Sequence, residues 1–110
     1  MCIFCKIATG EIPTDFYYES ERVLAIQDLD PKAPTHLLII PRGHHENAGD
    51  LALAEPETMA ELFVAAREIA ATRELDGYRL VFNTGASAGQ SVFHAHLHLL
   101  GGRAFAWPPG

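Results

Sequence analysis

His94-Ala95-His96-Leu97-His98-Leu99-Leu100 is the stretch on which the reading of this 110-residue chain turns. Its histidines alternate with apolar residues, the period-two pattern of a strand with one buried face. Residues two apart on a strand share a face and lie about 6.6–6.8 Å from one another along it. His94, His96 and His98 therefore line one face, and Ala95, Leu97 and Leu99 line the other, toward a core. The span from His94 to His98 is then about 13 Å. One zinc with bonds of about 2.1 Å reaches no such distance, so the three are not a single metal site and at most two neighbours share an ion.

The strand is expected over Ser91–Leu100, entered from the Gly-rich link Thr84–Gly89 and closed by Gly101-Gly102. Tyr78–Asn83 reads as the strand before it. Upstream, Met59, Leu62, Phe63, Ala66, Ile69 and Ala70 recur at three- and four-residue spacing, with Pro56 suited to a first helical position. That predicts one long helix of about 20 residues from Glu55, ended by Gly77. Thr35–Ile40 and Val23–Leu29 read as an antiparallel hairpin across the breakers of Asp30-Pro31-Lys32-Ala33-Pro34, and Phe16–Glu19 as a short strand. Cys2 to Gly10 holds one or two helical turns stopped by Gly10, residues 42–54 read as an irregular loop, and the Pro-rich tail from Arg103 is irregular. Five strands, one long helix and one short one without β-α-β alternation make an α+β domain on an antiparallel sheet, with residues 1–110 as a single domain.

Composition narrows the function. Apolar residues are 48% and charged residues 20%, which suits a globular domain and excludes disorder and a disulfide-dense scaffold. The net charge is −6 with no basic block, so nucleic acid is not an expected partner. No apolar run approaches the roughly 20 residues of a membrane span and no signal segment opens the chain, so a cytoplasmic protein without membrane association is expected. A phosphate ligand would be held by backbone N–H groups and histidines.

The histidine stretch read on its own is either a solvated face or a centre of nucleophilic catalysis. A neutral imidazole is a good nucleophile near pH 7, and a second histidine beside it can pass a proton to a leaving group. Gly89-Gln90-Ser91-Val92 offers backbone N–H groups and a hydroxyl to anionic oxygens. These parts suit displacement at phosphorus through a phosphohistidine-type intermediate.

His94-Ala-His96-Leu-His98-Leu-Leu resembles the His-φ-His-φ-His-φ-φ pattern of the histidine triad (HIT) superfamily, where φ is apolar. The resemblance continues through Ile3-Phe-Cys-Lys-Ile7, Gly10-Glu-Ile-Pro13, Pro34-Thr-His36, Ile40-Pro41, Gly89-Gln-Ser-Val92 and the tail Gly101-Gly-Arg103 to Trp107-Pro-Pro-Gly110. That tail is similar to the Hint branch, the histidine triad nucleotide-binding proteins. The resemblance implies the HIT-like fold, with the five-stranded sheet extended across a homodimer. It makes His96 the nucleophile on the α-phosphorus of a nucleotide. It gives His98 a part in phosphate contact and proton transfer, and His36 a part in orienting this group. By the same resemblance Gly89, Gln90, Ser91 and Val92 contact the phosphate and leaving group, and Asn83 lines the site. Asp28 takes the ribose hydroxyls, a task a carboxylate suits by accepting from both, while Ile26 and Leu29 flank the base. Trp107 shapes the leaving-group side of the partner's pocket.

Cys2-x-x-Cys5 lacks the β-α-β context of a thioredoxin-like redox pair, which leaves inert thiols or half of a Cys₂His₂ zinc site. Resemblance to zinc-binding HIT proteins supplies the other half as His44 and His94, with His44 preferred over His45 by the Ile-Pro-x-x-His spacing. Such a zinc is expected to be structural, and the chemistry needs no cofactor. The leading function is hydrolysis of purine nucleoside 5′-phosphoramidates to nucleotide and amine. The alternatives are a dinucleoside polyphosphate hydrolase or nucleotidyl transferase, a nucleotide-binding scaffold dimer with incidental turnover, and a zinc-binding interaction module.

Overall fold

A computed structural model describes residues 2–110. Its elements are α1 (Ile3–Ala8), β1 (Tyr18–Glu19), β2 (Val23–Gln27), β3 (Thr35–Pro41), α2 (Ala48–Ala54), α3 (Pro56–Thr72), β4 (Tyr78–Val81) and β5 (Leu97–Gly101), with a short 3₁₀ turn at Ala86–Ala88. The strands form one antiparallel sheet in the order β1-β2-β3-β5-β4. Among the described residues no helix is long and apolar enough to cross a membrane.

The sheet has two covered faces, and the alternation of each strand sorts its residues between them. Val23, Ala25, Leu37, Ile39, Leu97 and Leu99 pack against Leu62, Ala66 and Ile69 of α3, with Leu51 of α2 and Ala95 closing the cluster. Leu24, Ile26, Leu38 and Ile40 meet Phe4 and Ile7 of α1 on the other face. β3 lies between β2 and β5 and is buried along its whole length. The short α1 covers only part of its face, and the rest of that face carries His36 and His98.

The architecture matches the α+β expectation, with Ala95, Leu97 and Leu99 in the core as the alternation predicts. Several elements differ from the sequence reading. β5 begins at Leu97 rather than Ser91. The reason lies in β3, where Pro41 has no N–H to give and its carbonyl oxygen is taken by the His94 ring. The Ala95 N–H bonds instead to His45 O at 2.8 Å, so residues 91–96 leave the ladder. The expected loop over 42–54 contains α2, capped by Asn47, whose side chain accepts the Asp50 N–H, and anchored by buried Leu51. Gly49 in its first turn masked that signal.

The long helix stops at Thr72, well before Gly77. Leu75 N–H bonds to Ala70 O and Glu74 N–H to Ala71 O, a Schellman closure with Glu74 in the left-handed region at φ 54°. Leu75 then lies over Gly101, where a Cβ would come within 2.7 Å of its Cδ1. The β2–β3 connection also starts early. Asp28 folds its carboxylate back onto the Asp30 N–H at 2.8 Å and ends β2 at Gln27.

Candidate functional site

His36 on β3 and His98 on β5 come together because the strands pair Leu38 with His98 and His36 with Leu100. That places the two histidines diagonally on one face, within reach of long side chains. His36 Nε2 lies 2.9 Å from His98 Nδ1. The direction of this bond is fixed from behind, since the Lys32 backbone N–H donates to His36 Nδ1 at 3.0 Å. A nitrogen that accepts carries no proton, so neutral His36 holds its proton on Nε2 and donates it to His98 Nδ1. His98 is then left with its proton on Nε2, a donor aimed away from the strand pair.

His96 is set the opposite way. Its Nδ1–H donates to the His94 carbonyl oxygen at 2.8 Å, which leaves Nε2 with a free lone pair. Its ring centroid is 5.0 Å from that of His98 and 5.1 Å from that of Phe4, and the residue is only 8% exposed. An imidazole with an unprotonated nitrogen thus stands beside one that presents an N–H. Burial holds the His98 imidazole down to about 4, with the neighbouring His96 and His36 adding to the effect and Asp28 opposing it. Burial likewise lowers His36, against the raising influence of Asp28. Both rings are neutral at pH 7.

The cavity beside these rings measures about 410 Å³ and brings Asp28, His36, Asn83 and His98 together, with Leu100 and Val81 among its apolar lining. The Asp28 carboxylate reaches to 3.4 Å of His36 Nε2 and is mostly buried. A larger cavity of about 790 Å³ between residues 74–79 and 102–105 is lined by no histidine, so the paired rings of His36 and His98 face the 410 Å³ one.

Other expected site residues, His96 among them, lie outside that cavity lining. Ile26 is buried in the α1-side cluster, whereas Leu29 is 99% exposed at the loop apex. Ser91 is exposed, and Val92 packs against the α1-side cluster. Gly89 takes φ 96°, which favours glycine, beside the Asn83 side chain. Gln90 corrects the sequence reading in one respect. Its side chain accepts from Gly85 N–H at 2.8 Å and donates to Glu46 O at 2.6 Å and Val92 O at 3.1 Å. All its hydrogens are spent on holding the loop, so this segment offers a phosphate its backbone and the Ser91 hydroxyl. Trp107 is 84% exposed and stands away from its own chain's cavity, which Phe105 and Pro109 line instead.

The sequence reading missed the wall built by the tail. Phe105 sits between two guanidinium groups, 5.0 Å from Arg79 and 4.2 Å from Arg103. Arg103 Nε–H donates to Lys32 O at 2.9 Å, and Arg79 donates to Ala106 O at 3.0 Å. The available signal was Arg79 itself, a charge in a short strand whose register with Leu100 turns it to the histidine face.

A second cluster lies on the far side of His96. The Sγ atoms of Cys2 and Cys5 and the Nδ1 atoms of His44 and His94 are mutual neighbours. The sulfurs are 3.3 Å apart and the two nitrogens 3.1 Å apart. The four sulfur–nitrogen distances are 3.5, 3.3, 3.3 and 3.6 Å. Donors bound tetrahedrally with Zn–S of about 2.3 Å and Zn–N of about 2.1 Å would stand about 3.3–3.8 Å apart. The residues present therefore fit zinc on all six edges, slightly contracted. His94 Nε2–H donates to Pro41 O at 2.9 Å, which turns the Nδ1 lone pair toward the cluster, as a metal-binding imidazole requires. His45 takes no part: its ring pairs with Glu55, whose carboxyl this bond, assisted by Thr58, holds below its usual range.

The HIT domain family matches residues 9–105 of the chain. A 14 kDa zinc-binding protein of Zea mays is 50% identical over 112 aligned positions, covering 98% of this chain and 87% of that protein. A HIT-like protein of Synechocystis is 47% identical, covering 98% of this chain and 96% of its own length. The crystal structure of a HIT family hydrolase from Legionella pneumophila superposes with a TM-score of 0.94 at 48% identity, covering both chains completely. A HIT family hydrolase from Clostridium thermocellum gives 0.89 at 44% identity, over 96% of this chain and 93% of that one. Sequence, fold and paired histidines agree, and the chain belongs to the HIT family.

Proposed function

We propose that the protein is a nucleotide-binding hydrolase that cleaves purine nucleoside 5′-phosphoramidates through a nucleotidyl group carried on His96. The observation that supports it most is the pair of opposed tautomers: His96 with a bare Nε2 beside His98 with an N–H. The His96 Nε2 lone pair attacks the α-phosphorus, and the P–N bond breaks with its electron pair leaving on nitrogen. That nitrogen takes a proton from the solvent of the pocket. His98 has no proton to spare at neutral pH, so its Nε2–H serves as a donor to the phosphoryl oxygen and guides proton movement. Water then attacks phosphorus, the Nε2–P bond breaks, and the proton lost by water passes to solvent. His36 holds His98 in register, and Ser91 with the backbone of Gly89, Gln90 and Val92 receives the phosphate. Asp28 accepts from the ribose hydroxyls, Asn83 lines the pocket, and Ile26 with exposed Leu29 covers the base.

Cys2, Cys5, His44 and His94 hold zinc in this reading, and when bound it supplies a cross-link between α1, the loop after β3 and the approach to β5. The protein acts in the cytoplasm as a homodimer whose sheets join, and the exposed Trp107 completes the partner's pocket. The test is an adenosine 5′-phosphoramidate with a fluorescent amine, given to the native protein and to His96→Ala. Release of amine and AMP by the native protein alone is the expected result. AMP binding with no release by either would favour a nucleotide-binding scaffold.

A further inference from the structure

The four-donor cluster and His96 share two structural parts. The first is His94, whose Nδ1 faces Cys2, Cys5 and His44 while its carbonyl oxygen holds the His96 Nδ1–H. The second is α1. Cys2 caps this helix and Cys5 lies within it, so both thiols and the ring of Phe4 belong to one short turn. The Phe4 ring meets His94 edge-on at 5.8 Å and His96 at 5.1 Å, and Phe4 is 7% exposed.

A helix of six residues does not hold itself together in water. α1 keeps its place through Phe4 and Ile7 on the sheet, through the Arg42 Nη1–H that donates to Ala8 O at 3.3 Å, and through its two thiols at the cluster. His96, for its part, lies in the segment that has left the ladder, so no strand pairing fixes its ring. Besides the neighbouring His98 ring, what fixes it is the carbonyl of one cluster residue and the aromatic ring carried between two others.

We propose that the Cys2–Cys5–His44–His94 cluster, closed by zinc, is a clasp that orders the nucleophile, acting on His96 through the His94 carbonyl oxygen and the Phe4 ring. The proposal rests on the reading of His96 as the nucleophile. With the clasp open, the His94 carbonyl and Phe4 gain freedom, and the His96 proton is no longer confined to Nδ1. Each His96 ring that carries its proton on Nε2 has lost the lone pair the attack needs. Phe4 is accordingly a positioning residue.

The test uses the full chain loaded with zinc, with Cys5→Ser and Phe4→Leu variants. Long-range proton–nitrogen NMR spectra report the His96 tautomer, and turnover of an adenosine 5′-phosphoramidate reports kcat and KM separately. The zinc-loaded native chain is expected to show His96 as a single Nδ1–H tautomer. Folded Cys5→Ser is expected to show mixed tautomers and a kcat lower by about tenfold with KM within about twofold, in the range of lost metal-site support. A folded Cys5→Ser with the native His96 signal and native kcat overturns the clasp. Should Cys5→Ser fail to fold, Phe4→Leu decides, since it keeps all four donors: a tautomer shift with lower kcat supports the clasp, and no change in either overturns it. A native chain without turnover on this substrate, whose His96 tautomer nevertheless shifts in the variants, defeats the substrate reading and supports the clasp.

Discussion

His36 Nε2 and His98 Nδ1 stand 2.9 Å apart at the end of a chain of donors that begins at the Lys32 backbone N–H. The chain sets the tautomer of His98 from a loop amide three residues before β3. His36→Leu removes its middle member. We expect kcat to fall by about tenfold, the equivalent of one hydrogen bond at about 1.4 kcal/mol, with the fold intact by circular dichroism. His36→Gln, which restores a donor, is expected to recover part of the loss. Equal activity in both variants would remove the relay from the account.

The same two rings make stability depend on pH. Both are held below the ordinary histidine value of 6.5, and His98 to about 4, with burial the leading cause in each. The unfolded chain therefore binds protons between pH 6.5 and about 4 that the folded chain refuses. Stability rises with pH across this window, so it is lost as pH falls from 6.5 toward 4 and levels off below. Urea melts at pH 7, 6, 5 and 4.5 check the direction, and the slope should flatten in His36→Leu.

Metal dependence separates His44 from His45. Four donors on one ion mean that zinc at about a hundred times its dissociation constant stabilises the fold by about 2.7 kcal/mol. Added zinc is expected to raise the melting temperature of the native chain and of His45→Ala. Cys2→Ser and His44→Ala should lose the response. A zinc response that survives His44→Ala and disappears in His45→Ala would reassign the ligand.

Gly101 tests the packing that ends the long helix. A Cβ there would stand 2.7 Å from Leu75 Cδ1, so Gly101→Ala forces apart the Schellman closure or the end of β5. Overpacking of this kind costs about 1–3 kcal/mol. Leu75→Ala in the same chain should restore part of that cost, and a double-mutant cycle by urea denaturation measures the coupling.

Much of this was legible in the sequence because it depends on periodicity. The alternation of Ala95, Leu97 and Leu99 against the histidines put the correct residues in the core. It also ruled out one metal across the triad, and the structure gives His94 to the thiols and His98 to His36. What stayed hidden depends on side chains bonding to the backbone of distant segments. Gln90 tied to Glu46, and His94 tied to Pro41, decide where β5 begins, and neither contact leaves a periodic trace. Phe105 likewise sits between Arg103, two residues before it, and Arg79, 26 residues before it, through the fold alone.

His96 Nε2 is expected to take the nucleotide. Native protein mixed with an adenosine 5′-phosphoramidate, quenched in acid-free denaturant within the first turnover and digested, should yield the His96 peptide bearing the nucleotidyl mass. His96→Ala should yield no such adduct and no amine. An adduct on another residue, or amine release by His96→Ala at the native rate, would contradict the account.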